Sequence, residues 1–223
     1  MLITLPNLLT AEQCETILKE IEPLEWKAGQ ADDKEYTAAI KHNQELNTKD
    51  PVAAKHLLTI NQAIVTNKEL SARTFPLQML APRFNRYDVG QTYKKHTDAA
   101  YMGTPPVRTD MSITVFLSDP DSYEGGELEM EYSSGECRSI KGQAGTLICY
   151  PTDVTHCVAP VTKGSRIAAI TWIRSAIQDF HKRGILSTVR DCTLRERASN
   201  GMETKQYVDL MGVQQNLLRM WAG

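Results

Sequence analysis

His96-Thr97-Asp98 follows a strand-like run and the turn Tyr87-Asp88-Val89-Gly90, and sixty residues later it is answered by Tyr150-Pro151-Thr152-Asp153-Val154-Thr155-His156. Side chains alternate along an extended chain, so His96 and Asp98 are expected on one side of a strand. Ten residues beyond His156 comes Arg166. Two imidazoles and a carboxylate on one face of a metal, with the other positions open, are the ligand set of non-haem Fe(II) oxygenases. An Arg on a nearby strand suits a carboxylate-bearing cosubstrate, because its planar fork bonds a carboxylate through two N–H groups. A roll of antiparallel strands can bring two such distant segments to one mouth.

The surrounding pattern agrees. From Phe75 onward, short β-type runs recur at residues 77–87, 111–117, 126–131, 136–140, 145–150, 155–158 and 166–175, with turn residues between them. Short strands at this spacing predict an antiparallel sandwich or barrel. Asp119-Pro120-Asp121 and Glu124-Gly125-Gly126 are turn signals, and Ser134-Gly135 reads as a hairpin tip. In the last run, Arg166, Ala168, Ile170 and Trp172 share one face, and Ile167, Ala169, Thr171 and Ile173 the other. Both faces are largely apolar, so this strand is expected at the centre of a sheet. A charge at the end of such a strand needs a partner. The plain reading is a salt bridge to an Asp or Glu; the sharper one is a bound dicarboxylate.

Helices flank this β region. Thr10 with Gln13 forms a capping-box signature ahead of a helix over 11–21, ended by Glu22-Pro23. Asp50-Pro51 starts a second helix that runs to about Asn67. The polar stretch 26–50 predicts a strand near Trp26 and then a mobile loop, a candidate lid. Residues 99–108, next to the His96 motif, are a second candidate rim of the entrance. After Ser175 the β pattern stops. Helices are expected over 179–197, with a break at Gly184, and over 203–220. Residues 1–175 are therefore read as one domain and 176–223 as a helical extension docked on it, too small to stand alone. The tail helices either cap the barrel or mediate a homodimer.

Composition narrows the function classes. The chain has 223 residues, 41% hydrophobic and 23% charged, with a net charge of −2. That is an ordinary globular composition, without the basic surface that nucleic-acid binding calls for. No apolar run reaches the length of a membrane span, and the N-terminal residues show no signal-peptide pattern. Five cysteines, an odd number without a C-x-x-C pair, argue against a disulfide framework or a Cys-rich zinc site and for a reducing cytoplasm. His42, His56 and His181 are read as surface or helix-face residues. Cys157, beside His156, is read as a small hydrophobe on the opposite side of its strand.

Taken in order, several motifs resemble one family. They are Arg86-Tyr87-Asp88-Val89-Gly90 to His96-Thr97-Asp98, Tyr123-Glu124-Gly125-Gly126-Glu127-Leu128, Tyr150-Pro151 to His156, and Pro160-Val161-Thr162-Lys163-Gly164-Ser165-Arg166. This order is similar to that of the bacterial PKHD-type hydroxylases, in the prolyl-4-hydroxylase-like branch of the Fe(II)/2-oxoglutarate dioxygenases. The resemblance implies a mainly β protein with flanking helices and a double-stranded β-helix (jelly-roll) core. It implies Fe(II) held by His96, Asp98 and His156, and 2-oxoglutarate anchored by Arg166. Tyr87 and Trp172 match pocket aromatics on the cosubstrate side. O2 is the second cosubstrate, and ascorbate a candidate accessory reductant. The expected reaction is hydroxylation of a small-molecule or peptide substrate with release of succinate and CO2. Two rivals stand beside it. One is a zinc hydrolase using the same ligands; the other is a non-enzymatic jelly-roll module with a structural metal.

Overall fold

The computed structural model describes residues 2–29, 38–132 and 134–223. The chain runs β1 (Ile3–Leu5), α1 (Ala11–Ile21), β2 (Trp26–Ala28), β3 (Lys41–His42), β4 (Gln44–Leu46), α2 (Pro51–Thr66) and α3 (Lys68–Thr74). The β-rich part follows with β5 (Pro76–Met79), β6 (Arg83–Asp88), β7 (Thr92–His96), β8 (Tyr101–Met102), β9 (Val107–Arg108) and β10 (Met111–Phe116). It continues with β11 (Glu124–Gly125), β12 (Leu128–Glu131), β13 (Cys137–Ile140), β14 (Leu147–Pro151), β15 (Thr155–Val158), β16 (Val161–Lys163) and β17 (Ser165–Ser175). Two helices, α4 (Phe180–Asn200) and α5 (Lys205–Trp221), close the chain.

Two antiparallel sheets make the core. The larger has the order β1-β14-β10-β17-β6-β4-β2, with β5 also paired to β17; the smaller has the order β13-β12-β15-β7-β3. As expected, β17 lies inside its sheet, flanked by β10 and β6. Its alternation holds too: Ile167, Ala169 and Ile173 enter the main apolar cluster, while Arg166, Ile170 and Trp172 line a cavity on the other side. The main cluster joins the outer face of the large sheet to α1, α2 and α3 through Ile17, Ile21, Leu57, Ile60 and Leu70. A second cluster joins the sheets to each other, with Phe116, Ile148 and Tyr150 of the large sheet against Leu128 and Met130 of the small one. This is the predicted jelly-roll core, mainly β with helices outside.

The helix starts follow their sequence signals. The Thr10 hydroxyl accepts from Gln13 N and the Gln13 side chain accepts from Thr10 N, so the capping box is closed. Asp50 accepts from the N–H groups of Val52 and Ala53 at the start of α2, with Pro51 in the first turn.

Several expectations need correction. The strand expected over 77–87 is two, β5 and β6, separated by a segment with Pro82, which has no N–H to give to a ladder. Helix α3 was not expected, because Asn67, read as a stop, also caps the next helix by accepting from Leu70 N. The loop expected within 26–50 contains β3, which pairs with β7, and β4, which pairs with β6. Its candidate lid falls partly on residues 30–37, outside the described residues. His42 is exposed on β3, and His56 lies on α2 but is buried rather than on the surface, with its ring bonded to Glu20 at 2.9 Å. Gly184 does not break α4. The tail reaches the body through α4, whose Asp191 and Arg190 pair with Arg73 and Glu69 of α3. Helix α5 packs on α4 and has no fully buried residue.

Candidate active site

Register builds the site. In the small sheet, His156 of β15 is the cross-strand partner of His96 of β7, so their rings stand side by side with centroids 4.3 Å apart. Asp98 lies two residues past the end of β7, not on the strand as the alternation argument expected. Neighbours from the large sheet hold it in place. Trp172 Nε1 donates to Asp98 Oδ2 at 2.9 Å, and the Ser112 hydroxyl donates to the same oxygen at 2.6 Å. Ser112 and Trp172 are themselves cross-strand partners on β10 and β17. The result is one cluster: His96 Nε2 is 3.8 Å from Asp98 Oδ1, and His156 Nε2 is 3.9 Å from Asp98 Oδ2. One ligand atom from each of the three residues lies within 4.8 Å of the others.

Both imidazoles are oriented through backbone hydrogen bonds. His96 Nδ1 donates to the carbonyl of Lys94 at 2.8 Å, and His156 Nδ1 to that of Val154 at 2.9 Å. Both bonds place the proton on Nδ1 and leave Nε2 as the free electron pair facing Asp98. Burial, followed by the charge of neighbouring His156, pushes the His96 imidazole down to about 4, so it is neutral at pH 7. Tyr93 stacks on His96 at 3.6 Å and Tyr150 meets His156 edge-on at 5.1 Å, which restricts both rings. An oriented His/Asp/His set is the donor chemistry of a divalent first-row metal.

Across the cavity stands Arg166. It is 2% exposed, with its guanidinium over the rings of Tyr87 and Phe116 at 5.3 and 5.4 Å. Among the described residues its Nε has no hydrogen-bond partner and no Asp or Glu pairs with it. The salt bridge of the plain reading is therefore not there. A buried cation without an anion is costly, and a carboxylate ligand would relieve it. Gly126 makes room: a Cβ there would lie 3.0 Å from Arg166 Cδ. Tyr87, the cross-strand partner of Arg166, is buried beside it, and burial pushes its hydroxyl above the usual range. A cavity of about 660 Å³ connects Arg166 to the His96, Asp98 and His156 cluster and to the β8–β9 hairpin, which contributes Met102 and Gly103 to the rim. That volume suits a small-molecule site.

All six residues singled out in the sequence line this one cavity. Cys157 points away from it and bonds to Glu129 at 3.4 Å. Ser112, Tyr93, Arg83 and Asn85 were missed. The alternation of Met111-Ser112-Ile113-Thr114-Val115 carried the signal for Ser112, since polar residues on one face of a buried strand must serve something.

A family profile described as the 2OG-Fe(II) oxygenase superfamily matches residues 82–174. A PKHD-type hydroxylase of Shewanella sp. strain MR-4 is 36% identical over 224 residues, covering 100% of this chain and 99% of its own. Among solved structures, a Pseudomonas putida prolyl-4-hydroxylase is similar with a TM-score of 0.57 at 17% identity, covering 78% of this chain and 92% of its own. A Trichoplax adhaerens prolyl hydroxylase, in complex with a hypoxia-inducible-factor peptide fragment, is similar with a TM-score of 0.60 at 15% identity, covering 83% and 86%.

Proposed function

Since the chain belongs to the PKHD-type hydroxylases of the 2OG-Fe(II) oxygenase superfamily, we propose that His96, Asp98 and His156 are its iron ligands and Arg166 its 2-oxoglutarate anchor. Fe(II), 2-oxoglutarate and O2 are the cofactor and cosubstrates of this family. Membership sets aside the zinc-hydrolase and non-enzymatic readings. Bound there, the iron would couple the oxidative decarboxylation of 2-oxoglutarate by O2, which gives succinate and CO2 and takes up one oxygen atom, to hydroxylation of a substrate C–H bond by the other.

The observation that carries the residue assignment is the convergence of three metal-donor side chains across one cavity from a buried guanidinium that pairs with no Asp or Glu among the described residues. The two Nδ1–H bonds aim each Nε2 at the metal position. Trp172 and Ser112 fix the Asp98 carboxylate, and the Trp172 ring also lines the cavity on the side of Arg166, where it is placed to contact the cosubstrate. Tyr87 and Phe116 wall the guanidinium and exclude water from it, which strengthens a pairing with a carboxylate. Tyr87 is placed to contact the cosubstrate.

The same reading divides the chain into a catalytic unit over 1–175 and a buttressing extension over 176–223. It takes the substrate to be a small molecule or a peptide. A homodimer through the tail is the remaining element, and light scattering tests it. No helix among the described residues is long and apolar enough to cross a membrane. Five unpaired cysteines support a reducing, cytoplasmic setting.

Succinate formation from 2-oxoglutarate tests the assignment. Asp98→Ala is expected to bring it to background. Arg166→Ala is expected to raise the KM for 2-oxoglutarate by about tenfold to a hundredfold, as loss of a charge-assisted bond implies. Wild-type kinetics in both variants would refute the site.

A further inference from the structure

The cavity has a second polar end that the ligands and Arg166 do not use. Along β6 the cavity-facing residues are Arg83, Asn85 and Tyr87. Tyr87 is the cross-strand partner of Arg166, whereas Arg83 is opposite Ile170, four residues further along β17. That separation is roughly 13 Å at the rise of a strand. A group held at Arg83 is therefore not the cosubstrate carboxylate held at Arg166.

Arg83 lines the same cavity as His96, Asp98 and His156. Its guanidinium carbon is 5.3 Å from the centroid of the Trp172 ring, and the other side of that connection is the Trp172–Asp98 hydrogen bond. Among the described residues its ion-pair contact is with Glu45 Oε2, at 3.9 Å, and with 36% of its side chain exposed the rest of its donor fork is open to water or to a ligand entering the cavity. Asn85, one cavity-facing position deeper, is 1% exposed. Its Oδ1 accepts from Asn43 Nδ2, and its own Nδ2 has no partner. Buried donors in native proteins are nearly always satisfied, so an orphan in a cavity wall points to a ligand acceptor. Lys41 of β3 lines the same cavity, its charge shared with Glu45.

We propose that Arg83 and Asn85 form a substrate-anchoring subsite for a carboxylate, so that the hydroxylated substrate is a carboxylate-bearing molecule docked with its anion on β6 and a C–H bond toward the metal. A planar monoanion fits better than a phosphate dianion. The guanidinium fork and one amide N–H match two carboxylate oxygens, and Asp98 and the cosubstrate already place negative charge nearby. The inference rests on the site assignment made above.

The test uses the full chain loaded with Mn(II) and saturating 2-oxoglutarate without O2, and two probes that differ in charge alone, cyclohexanecarboxylate and cyclohexanecarboxamide. The readout is the Mn(II)-induced relaxation of probe protons in NMR. The acid is expected to show a saturable enhancement that additional 2-oxoglutarate does not reverse, with the amide about tenfold weaker. Arg83→Gln is expected to bring the acid to the level of the amide, and Arg83→Lys to fall between. Equal binding of acid and amide, an unchanged Arg83→Gln, no enhancement of the acid, or displacement of the acid by more 2-oxoglutarate each overturns the proposal. The methylene protons of 2-oxoglutarate separate the two levels: their enhancement should be present in the wild type and lost in Arg166→Ala. If that control fails, the site assignment fails; if it holds and the acid probe fails, the carboxylate subsite alone falls.

Discussion

The two faces of the large sheet are made by the same strands and serve opposite ends. On the outer face, Ile113, Val115, Leu147, Ile167 and Ile173 pack against α1 and α2 with almost no exposure. On the inner face the same strands present Ser112, Thr114, Tyr150, Arg166 and Trp172 to a cavity. The outer face gains free energy by removing apolar surface from water, at about 1.5–3 kcal/mol for each fully buried large side chain. The inner face gives some back, since Arg166 Nε and Asn85 Nδ2 are buried without partners. A strand whose two faces differ this much places reactive groups rigidly, because the stable face holds the strained one in position.

Substitutions on each face should separate these roles. The largest expected effect on folding is from Ile113→Ala, which leaves a cavity under the helices. A loss of about 2–5 kcal/mol is expected, measured by urea unfolding. The mirror experiment is Arg166→Met, which removes an unpaired buried charge. The metal-free protein is expected to be unchanged or more stable by about 1–4 kcal/mol, while 2-oxoglutarate stops raising its melting temperature. Destabilisation comparable to Ile113→Ala would mean that the inner face also supports the fold.

A smaller effect is expected from Trp172→Phe. It keeps the ring and deletes the N–H bonded to Asp98, so Fe(II) affinity should fall about 10–100-fold with little change in unfolding. Anaerobic metal titration reads this directly. A further effect concerns pH. His96 is held at about 4, against 6.5 for an unperturbed His. The unfolded chain therefore takes up the proton at higher pH than the folded one. Stability of the metal-free protein should be at its full value above about 6.5 and decline as pH falls toward about 4. Unfolding midpoints across this range should show the slope, and His96→Gln should flatten it.

Local signals carried much of this architecture. The Thr10/Gln13 box and Asp50-Pro51 marked helix starts to the residue, because a cap is a contact between near neighbours. The 166–175 strand and its two faces were legible from alternation alone. Where the reading went astray, a residue had two local meanings or a partner far away. Asn67 ends one helix and caps the next. Residues 41–46 look like loop because their hydrogen bonds go to β7 and β6, about fifty and forty positions downstream.

By itself, then, the sequence determined most of the strands from residue 111 onward, the starts of α1 and α2 and the residue types able to hold a metal and a carboxylate, since these depend on alternation, capping and donor chemistry within a few residues. Only the tertiary structure decided that His96 and His156 are cross-strand neighbours, that Trp172 and Ser112 hold Asp98, and that no described carboxylate reaches Arg166. Those facts depend on register between strands distant in the chain, and register is fixed by which faces of the sheets are buried together.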